Sequence, residues 1–233
     1  MKLLKLTIGL LAIAMILALA VISHGYLRRN RSSSGAVFAT PTAAAVSYAE
    51  SRRYRLDASQ SKFIAHAMAG GLLWFKGHDH LVAVREFTGE AQLTPDQINS
   101  SSLEIDAKAA SMVETSTVFT DQQKQIIDKE LREIVLQPDQ YPDIVFRSRQ
   151  VAVRKTAADQ YDLDITGDLT LHGVTRQITI PTKVTLTGGD LRAVGEFSID
   201  RGDFNVKATS AFHGLVRVRD KVKFNFDIVG HQV

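Results

Sequence analysis

Residues 216–228 read Val-Arg-Val-Arg-Asp-Lys-Val-Lys-Phe-Asn-Phe-Asp-Ile, with apolar side chains at every even position except Asp220 and polar or charged side chains at the odd ones. Successive side chains of a β-strand point to opposite faces of the sheet, so this period of two predicts a strand with one dry and one wet face. The segment is long for a strand of a β-sandwich and suits a β-barrel. We therefore expect its apolar positions to face a barrel interior.

The same alternation recurs along the chain in segments separated by turn-forming residues. These segments are Lys62–Met68, Val82–Leu93, Leu103–Ala109, Tyr161–Leu171, Val174–Leu186 and Leu191–Ile199, with Gly188-Gly189-Asp190 as a hairpin turn between the last two. They indicate about eight strands, a number that encloses one small ligand, or is filled by its own side chains, once the sheet closes. The predicted fold is an all-β, eight-stranded antiparallel barrel.

One stretch breaks the strand pattern. Thr120-Asp121-Gln122-Gln123 has the form of a helix capping box, and apolar residues follow at spacings of three and four until Pro138. This predicts one amphipathic helix of about four turns. A single helix in a β chain has little to pack on except the barrel, so we expect it to close one mouth or to lie along a wall.

The N-terminus differs in kind from the rest. Lys2 and Lys5 precede the apolar run Leu6–Ile22, and no acidic residue occurs before Glu50. This pattern predicts an export signal or a membrane anchor within residues 1–29, with a linker over 30–52 and the barrel domain over 53–233. Cleavage and retention as a tether through residues 6–22 both stay open, and we expect an exported, periplasmic or extracytoplasmic protein.

Charge and composition exclude several functions. Residues 1–39 hold five of the 28 basic residues and none of the 25 acidic ones, which leaves the body slightly acidic and without a footprint for nucleic acid. Cysteine is absent, so there is no thiol nucleophile, and no Gly-x-Ser-x-Gly elbow is present. We expect no catalytic residues and no cofactor.

Three strings carry a resemblance to a known family. They are Tyr141-Pro142-Asp143-Ile144-Val145-Phe146-Arg147-Ser148, Gly167-Asp168-Leu169-Thr170-Leu171-His172-Gly173-Val174-Thr175 and Asp200-Arg201-Gly202-Asp203-Phe204-Asn205-Val206. In this order and at these separations they resemble the YceI-like family of lipid- or polyisoprenoid-binding proteins, over about residues 54–229. The resemblance implies an exported, lipocalin-like barrel of eight strands that holds an isoprenoid or other long-chain lipid and has no catalytic residues. The chain departs from the commoner pattern in the stretch from His66 to His80 and at Asn205.

The candidate ligand-binding residues are the inward-facing positions of the strands, the apolar face of the helix and two aromatic residues of a Gly-rich loop. They are Phe63, Trp74, Phe75, Phe87, Ile105, Ile126, Ile127, Leu131, Phe146, Leu163, Ile165, Leu169, Ile178, Ile180, Phe197, Phe224 and Phe226. Parity alone does not separate a filled core from a cavity. Trp74 and Phe75 fit either a plug or the first contacts of an entering lipid tail.

Two alternatives to a lipid carrier stay open. His66, His78 and His80 are candidate ligands of a metal or a haem, because two histidines at i and i+2 of an extended segment point to one side. The second alternative is a structural or stress-response barrel that binds no ligand. We interpret His172 and Asp168 first as turn residues, and Arg201 and Asp203 as a corner ion pair.

Overall fold

The computed structural model describes residues 51–94, 100–211, 213 and 215–233. The predicted signal or anchor segment and almost all of the predicted linker lie outside the described residues. Within those ranges no helix is both long enough and apolar enough to span a membrane.

The barrel domain is made of antiparallel strands, as the alternation predicts. The strands are β1 (Arg52–Gly70), β2 (His80–Val84), β3 (Phe87–Leu93), β4 (Ser102–Lys108), β5 (Met112–Glu114), β6 (Asp143–Ala157), β7 (Gln160–Leu171), β8 (Val174–Thr187), β9 (Asp190–Asp200), β10 (Ser210–Ala211) and β11 (Val216–Gln232). Short 3-10 turns occupy Trp74–Lys76, Ala109–Ser111 and Arg201–Phe204.

Eight of these strands close into a ring. Their order is β11-β9-β8-β7-β6-β4-β3-β1, and β1 pairs again with β11 to complete the circle. Closure places Phe63 opposite Phe226 and Ala65 opposite Phe224. The prediction of an eight-stranded antiparallel barrel is confirmed.

At two positions in the ring, two short consecutive strands take the place of one long strand. The beginning of β1 pairs with β3, whereas its later part, from Ile64 to Ala67, pairs with β2. β2 in turn pairs with β5, as β3 pairs with β4. The pair β2 and β3 therefore forms one position of the ring, with a bend between the two strands, and the pair β4 and β5 forms another. β10 pairs with the start of β11 over two residues.

Helix α1 (Asp121–Glu130) begins at the predicted capping box, because the Thr120 hydroxyl accepts from the Gln123 backbone and the Gln123 side chain accepts from the Thr120 backbone. A π-helical segment, Leu131–Leu136, continues it. Gln137, in left-handed backbone, then ends the helix and hydrogen-bonds His172 in the β7–β8 turn at 2.9 Å. The helix therefore lies at the end of the barrel where β7 ends, which we call the helix end. The buried Tyr54 and Tyr161 lie towards the other end.

Candidate ligand cavity

A cavity of about 240 Å³ occupies the barrel interior, and its lining is overwhelmingly apolar. Fourteen of the seventeen candidate residues line it. They are Phe63, Phe87, Ile105, Ile127, Leu131, Phe146, Leu163, Ile165, Leu169, Ile178, Ile180, Phe197, Phe224 and Phe226. The inward parity of the strands therefore surrounds an open space as well as a packed core.

Ile126 does not line the cavity, and its side chain is 56% exposed. Consecutive residues of a helix point about 100° apart, so the turn that directs Ile127 to the cavity rotates Ile126 toward solvent. Ile127, Leu131 and Val135 take the inward stripe at a spacing of four. The expectation that Ile126 faces the interior is wrong.

Trp74 and Phe75 also lie outside the cavity, with 56% and 62% of their surfaces exposed. The chain leaves β1 at Gly70, and the backbone N–H of Leu73 donates to the Leu215 carbonyl at 2.9 Å. This bond holds the loop against the start of β11, beyond the paired rungs of β1. A plug of the interior by these two rings is therefore wrong.

Aromatic rings shape the central wall of the cavity. Phe197 stacks on Phe224 with ring centroids 4.9 Å apart, and Phe63 meets the edges of Phe224 and Phe226 at 6.1 and 6.3 Å. The Phe226 ring lies against Gly195, where an added Cβ would be 2.6 Å from the ring and 2.4 Å from the Pro181 carbonyl oxygen. Glycine at this position thus lets the ring lie close to the sheet and leaves space in the centre.

Sequence reasoning missed the polar residues of the lining, which include Gln92, Ser101, Ser102 and Thr182. Five more lie at the helix end, namely His80, Glu130, Arg201, Lys207 and Thr209. Four of the five lie in the helix or in the irregular chain after β9, where alternation gives no signal of facing. These five residues give the helix end a polar rim.

Arg201 is the most enclosed cation of this rim. Its guanidinium donates to the Val206 carbonyl at 2.8 Å and pairs with Asp220, while its Nε is buried without a hydrogen-bond partner. The predicted ion pair with Asp203 is wrong, because the 3-10 turn places Asp220 of β11 at the guanidinium instead. Asn205, where the chain departs from the commoner family pattern, has φ of 56°, a left-handed backbone that asparagine tolerates.

The three candidate metal-ligating histidines do not converge. His66 Nε2 is 3.0 Å from Asp79 Oδ2, and His80 Nδ1 is 2.8 Å from Glu114 Oε2. His78 packs its ring edge-on to Phe119. Among the described residues no group of three or more His, Asp or Glu side chains is arranged to hold a metal ion.

Glu114 joins the wall to the helix. Its side chain is 0% exposed, and Oε1 accepts from the backbone N–H of Leu81 at 3.1 Å and of Ser116 at 2.8 Å. Its own backbone N–H donates to Asp128 of α1 at 2.8 Å. Burial acts to raise the pKa of Glu114, but the hydrogen bonds from His80 and the two backbone groups outweigh it and hold this pKa below its usual value.

His172 and Gly173 form the β7–β8 turn with positive φ at both residues. The His172 ring lies 4.1 Å from that of Tyr141, and burial, with a smaller contribution from Lys207, lowers its pKa. Asp168 pairs with Arg149 at 2.6 Å. Both residues therefore have structural partners, as the interpretation of this string as a turn expects.

A closed antiparallel ring with one helix at its end and an apolar interior places the chain in the class of lipocalin-like β-barrels. Residues 54–230 match the YceI-like domain family. The chain therefore belongs to the YceI-like family, and the expectation raised by its three strings is confirmed.

Relatives and solved structures agree with this assignment. Protein YceI of Escherichia coli O17:K52:H18 is 36% identical over 104 residues, which are 41% of this chain and 50% of that protein. Protein YceI of Shigella flexneri matches to the same extent, so the match spans about half the length of these relatives.

BcnA of Burkholderia cenocepacia superposes with a TM-score of 0.58 and 21% identity, over 75% of this chain and 98% of that one. A polyisoprenoid-binding domain from Saccharophagus degradans, implicated in plant cell wall breakdown, superposes with a TM-score of 0.54 and 12% identity, over 77% of this chain and 98% of that one. At these identities the two structures establish the shared fold.

Proposed function

We propose that this protein is a carrier that sequesters an isoprenoid or another long-chain lipid inside its barrel and performs no chemistry on it. The observation that carries the proposal is the cavity inside the barrel, with its apolar wall. The polyisoprenoid-binding domain of the same fold supports the choice of ligand class.

The binding energy in this proposal comes from the hydrophobic effect. Removing a chain from water contributes up to about 0.8 kcal/mol for each buried methylene, before the ordering costs of binding are subtracted. Walls of Phe, Ile and Leu supply the apolar environment for such a chain. Binding of this kind needs no specific polar contact along the chain.

The polar rim suggests an orientation for the guest. Arg201, whose Nε is buried without a partner, and Lys207 both line the cavity at the helix end. A buried donor without an acceptor costs free energy, so a polar group of the ligand placed there would satisfy it. We therefore propose that the ligand enters with its tail in the barrel and its polar end near Arg201.

The test is the lipid content of the protein purified from its own host. Native mass spectrometry and solvent extraction should find a long-chain lipid bound one to one. Ile165→Trp fills part of the cavity and should lower the bound fraction, whereas Asp164→Trp, the outward neighbour on β7, should leave it unchanged. A folded Ile165→Trp protein with full lipid content, or a wild-type protein that carries no lipid, would contradict the proposal.

We also propose that the protein is exported. Lys2, Lys5 and the apolar run from Leu6 to Ile22 support export, and Ala18-Leu19-Ala20 offers a cleavage pattern. Cell fractionation with N-terminal sequencing of the mature chain tests this. A cytoplasmic protein that retains residues 1–22 would contradict it.

A further inference from the structure

Four large apolar side chains form an exposed group beside the helix end of the barrel. Leu72, Trp74 and Phe75 of the β1–β2 connection are 76%, 56% and 62% exposed, and Leu215, before β11, is 42% exposed. We call these four residues the apolar tip. Large apolar side chains that remain in water as a contiguous group mark a surface that contacts something else.

The backbone holds the apolar tip in place. Gly77 N–H donates to the Trp74 carbonyl at 3.0 Å, in addition to the bond between Leu73 and Leu215. Gly71 has φ of +89°, and a Cβ there would meet the Leu215 carbonyl oxygen at 2.5 Å, so the two strand ends approach as closely as only glycine allows. The backbone contacts between the end of β1 and the start of β11 thus fix the position of the tip.

Cations surround the apolar tip. Lys76 follows Phe75 in the same turn, and Arg217 and Arg219 border a small surface pocket together with Trp74. Neither Lys76 nor Arg217 forms a salt bridge within the described part of the chain. Two acidic groups lie nearby: Asp79 is hydrogen-bonded to His66, and Asp220, which lines the same pocket, is paired with Arg201. The surroundings of the tip therefore keep an unneutralised positive charge.

We propose that the apolar tip is a membrane-docking site that inserts into the surface of an anionic lipid bilayer. Trp, Phe and Leu side chains partition into the boundary between headgroups and acyl chains, and Lys and Arg beside them attract anionic headgroups. The combination of exposed aromatic rings with free cations fits this surface. A neutral protein partner would form no attractive interaction with the positive charge of Lys76 and Arg217.

Docking by the apolar tip brings the rim of the cavity to the membrane. The tip extends from β1 and β11 at the helix end, and Val218, one residue beyond Arg217, lines the cavity. Arg201, at the rim, is joined to β11 through Asp220. A lipid could then pass between bilayer and barrel over a short path. The docking surface itself is on the outside and does not depend on the cavity being occupied.

The chain carries a reporter for this site, because Trp74 is its sole tryptophan. The protein as isolated is titrated with vesicles of phosphatidylcholine and phosphatidylglycerol, and with vesicles of phosphatidylcholine alone. We expect a blue shift of Trp74 emission and quenching by lipids brominated on their acyl chains with the anionic vesicles. Because the signal is local, an uncleaved N-terminal tether cannot produce it.

Variants separate charge from apolar insertion. Lys76→Gln and Arg217→Gln should each weaken the vesicle affinity reported by Trp74 roughly fivefold, as expected for loss of one cation at an anionic surface. Phe75→Asp should abolish acyl-chain quenching. Arg55→Gln removes an exposed cation at the opposite end of the barrel and is the matched control, with unchanged affinity.

Three results would overturn the proposal. The first is vesicle binding with Trp74 still in water and open to iodide, which would assign binding to another part of the chain. The second is an equal response to neutral and anionic vesicles. The third is a blue shift that depends on protein concentration without lipid, which would make the tip a contact between two copies. Lipid content, measured separately, distinguishes a failure of docking from a failure of the carrier function.

Discussion

Removing the Glu114 carboxylate should destabilise the barrel where its wall meets the helix. In Glu114→Ala, the backbone N–H groups of Leu81 and Ser116 and the ring of His80 all lose their acceptor. An unsatisfied buried donor costs about 1–3 kcal/mol. The N–H of the buried Ser116 should cost a free energy near the upper end of this range, whereas the N–H of the partly exposed Leu81 can hydrogen-bond to water. We expect a loss of about 3 kcal/mol, or a fall in Tm of about 10 °C.

Glu114→Gln is the matched comparison. Its amide oxygen can still accept from the two N–H groups bonded to Oε1, and its amide NH2 lies where Glu114 Oε2 meets His80 Nδ1. Most of the stability should therefore return. Because the folded pKa of Glu114 is lowered, the wild type gains stability above the ordinary carboxyl pKa of about 4.5 and loses it as the pH falls through the folded value, and Glu114→Gln should lack this loss.

Urea unfolding of the wild type and both variants, between pH 3 and pH 7, measures these effects. The reasoning is refuted if Glu114→Ala and Glu114→Gln unfold at the same urea concentration. It is also refuted if both variants lose unfolding free energy at low pH as steeply as the wild type does.

Three further changes test other parts of the structure. Gly195→Ala should cost about 1–3 kcal/mol in chemical unfolding, since its Cβ would lie 2.4 Å from the Pro181 carbonyl oxygen, whereas Gly202→Ala meets nothing within 4 Å and should be nearly neutral. Thr120→Ala removes the helix cap and should cost about 1 kcal/mol, and an unchanged Tm would contradict the capping role. Burial lowers the pKa of His172, so stability should fall as pH drops below about 6.5; His172→Gln should flatten that slope, and an unaltered slope would assign it elsewhere.

The strands and the helix could be predicted from sequence because period and capping are local signals. The alternation from Val216 to Ile228 places Phe224, Phe226 and Ile228 on the cavity wall, and the capping box at Thr120 marks the first turn of α1. Parity also identified twelve wall residues, since the two faces of a barrel strand differ in solvent exposure. The bends between β2 and β3 and between β4 and β5 have no such signal.

The predictions that failed depend on long-range structure. Ile126 and Ile127 are both apolar, and only the orientation of the helix on the barrel decides which one faces in. Arg201 has an acidic neighbour in sequence but pairs with Asp220, which β11 brings across the sheet. Of the two histidines at i and i+2, His80 pairs with Glu114, far along the chain, whereas His78 packs against Phe119, and no local spacing encodes these partners.

Closure of the ring by its first and last long strands has a consequence for when the protein can fold. Ala65 can pair with Phe224 only after β2 to β10 and most of β11 have been synthesised. Contacts between such distant residues make folding slow, because a large loop must be ordered before they form. A nascent chain of this protein therefore keeps its ring open until β11 has been synthesised.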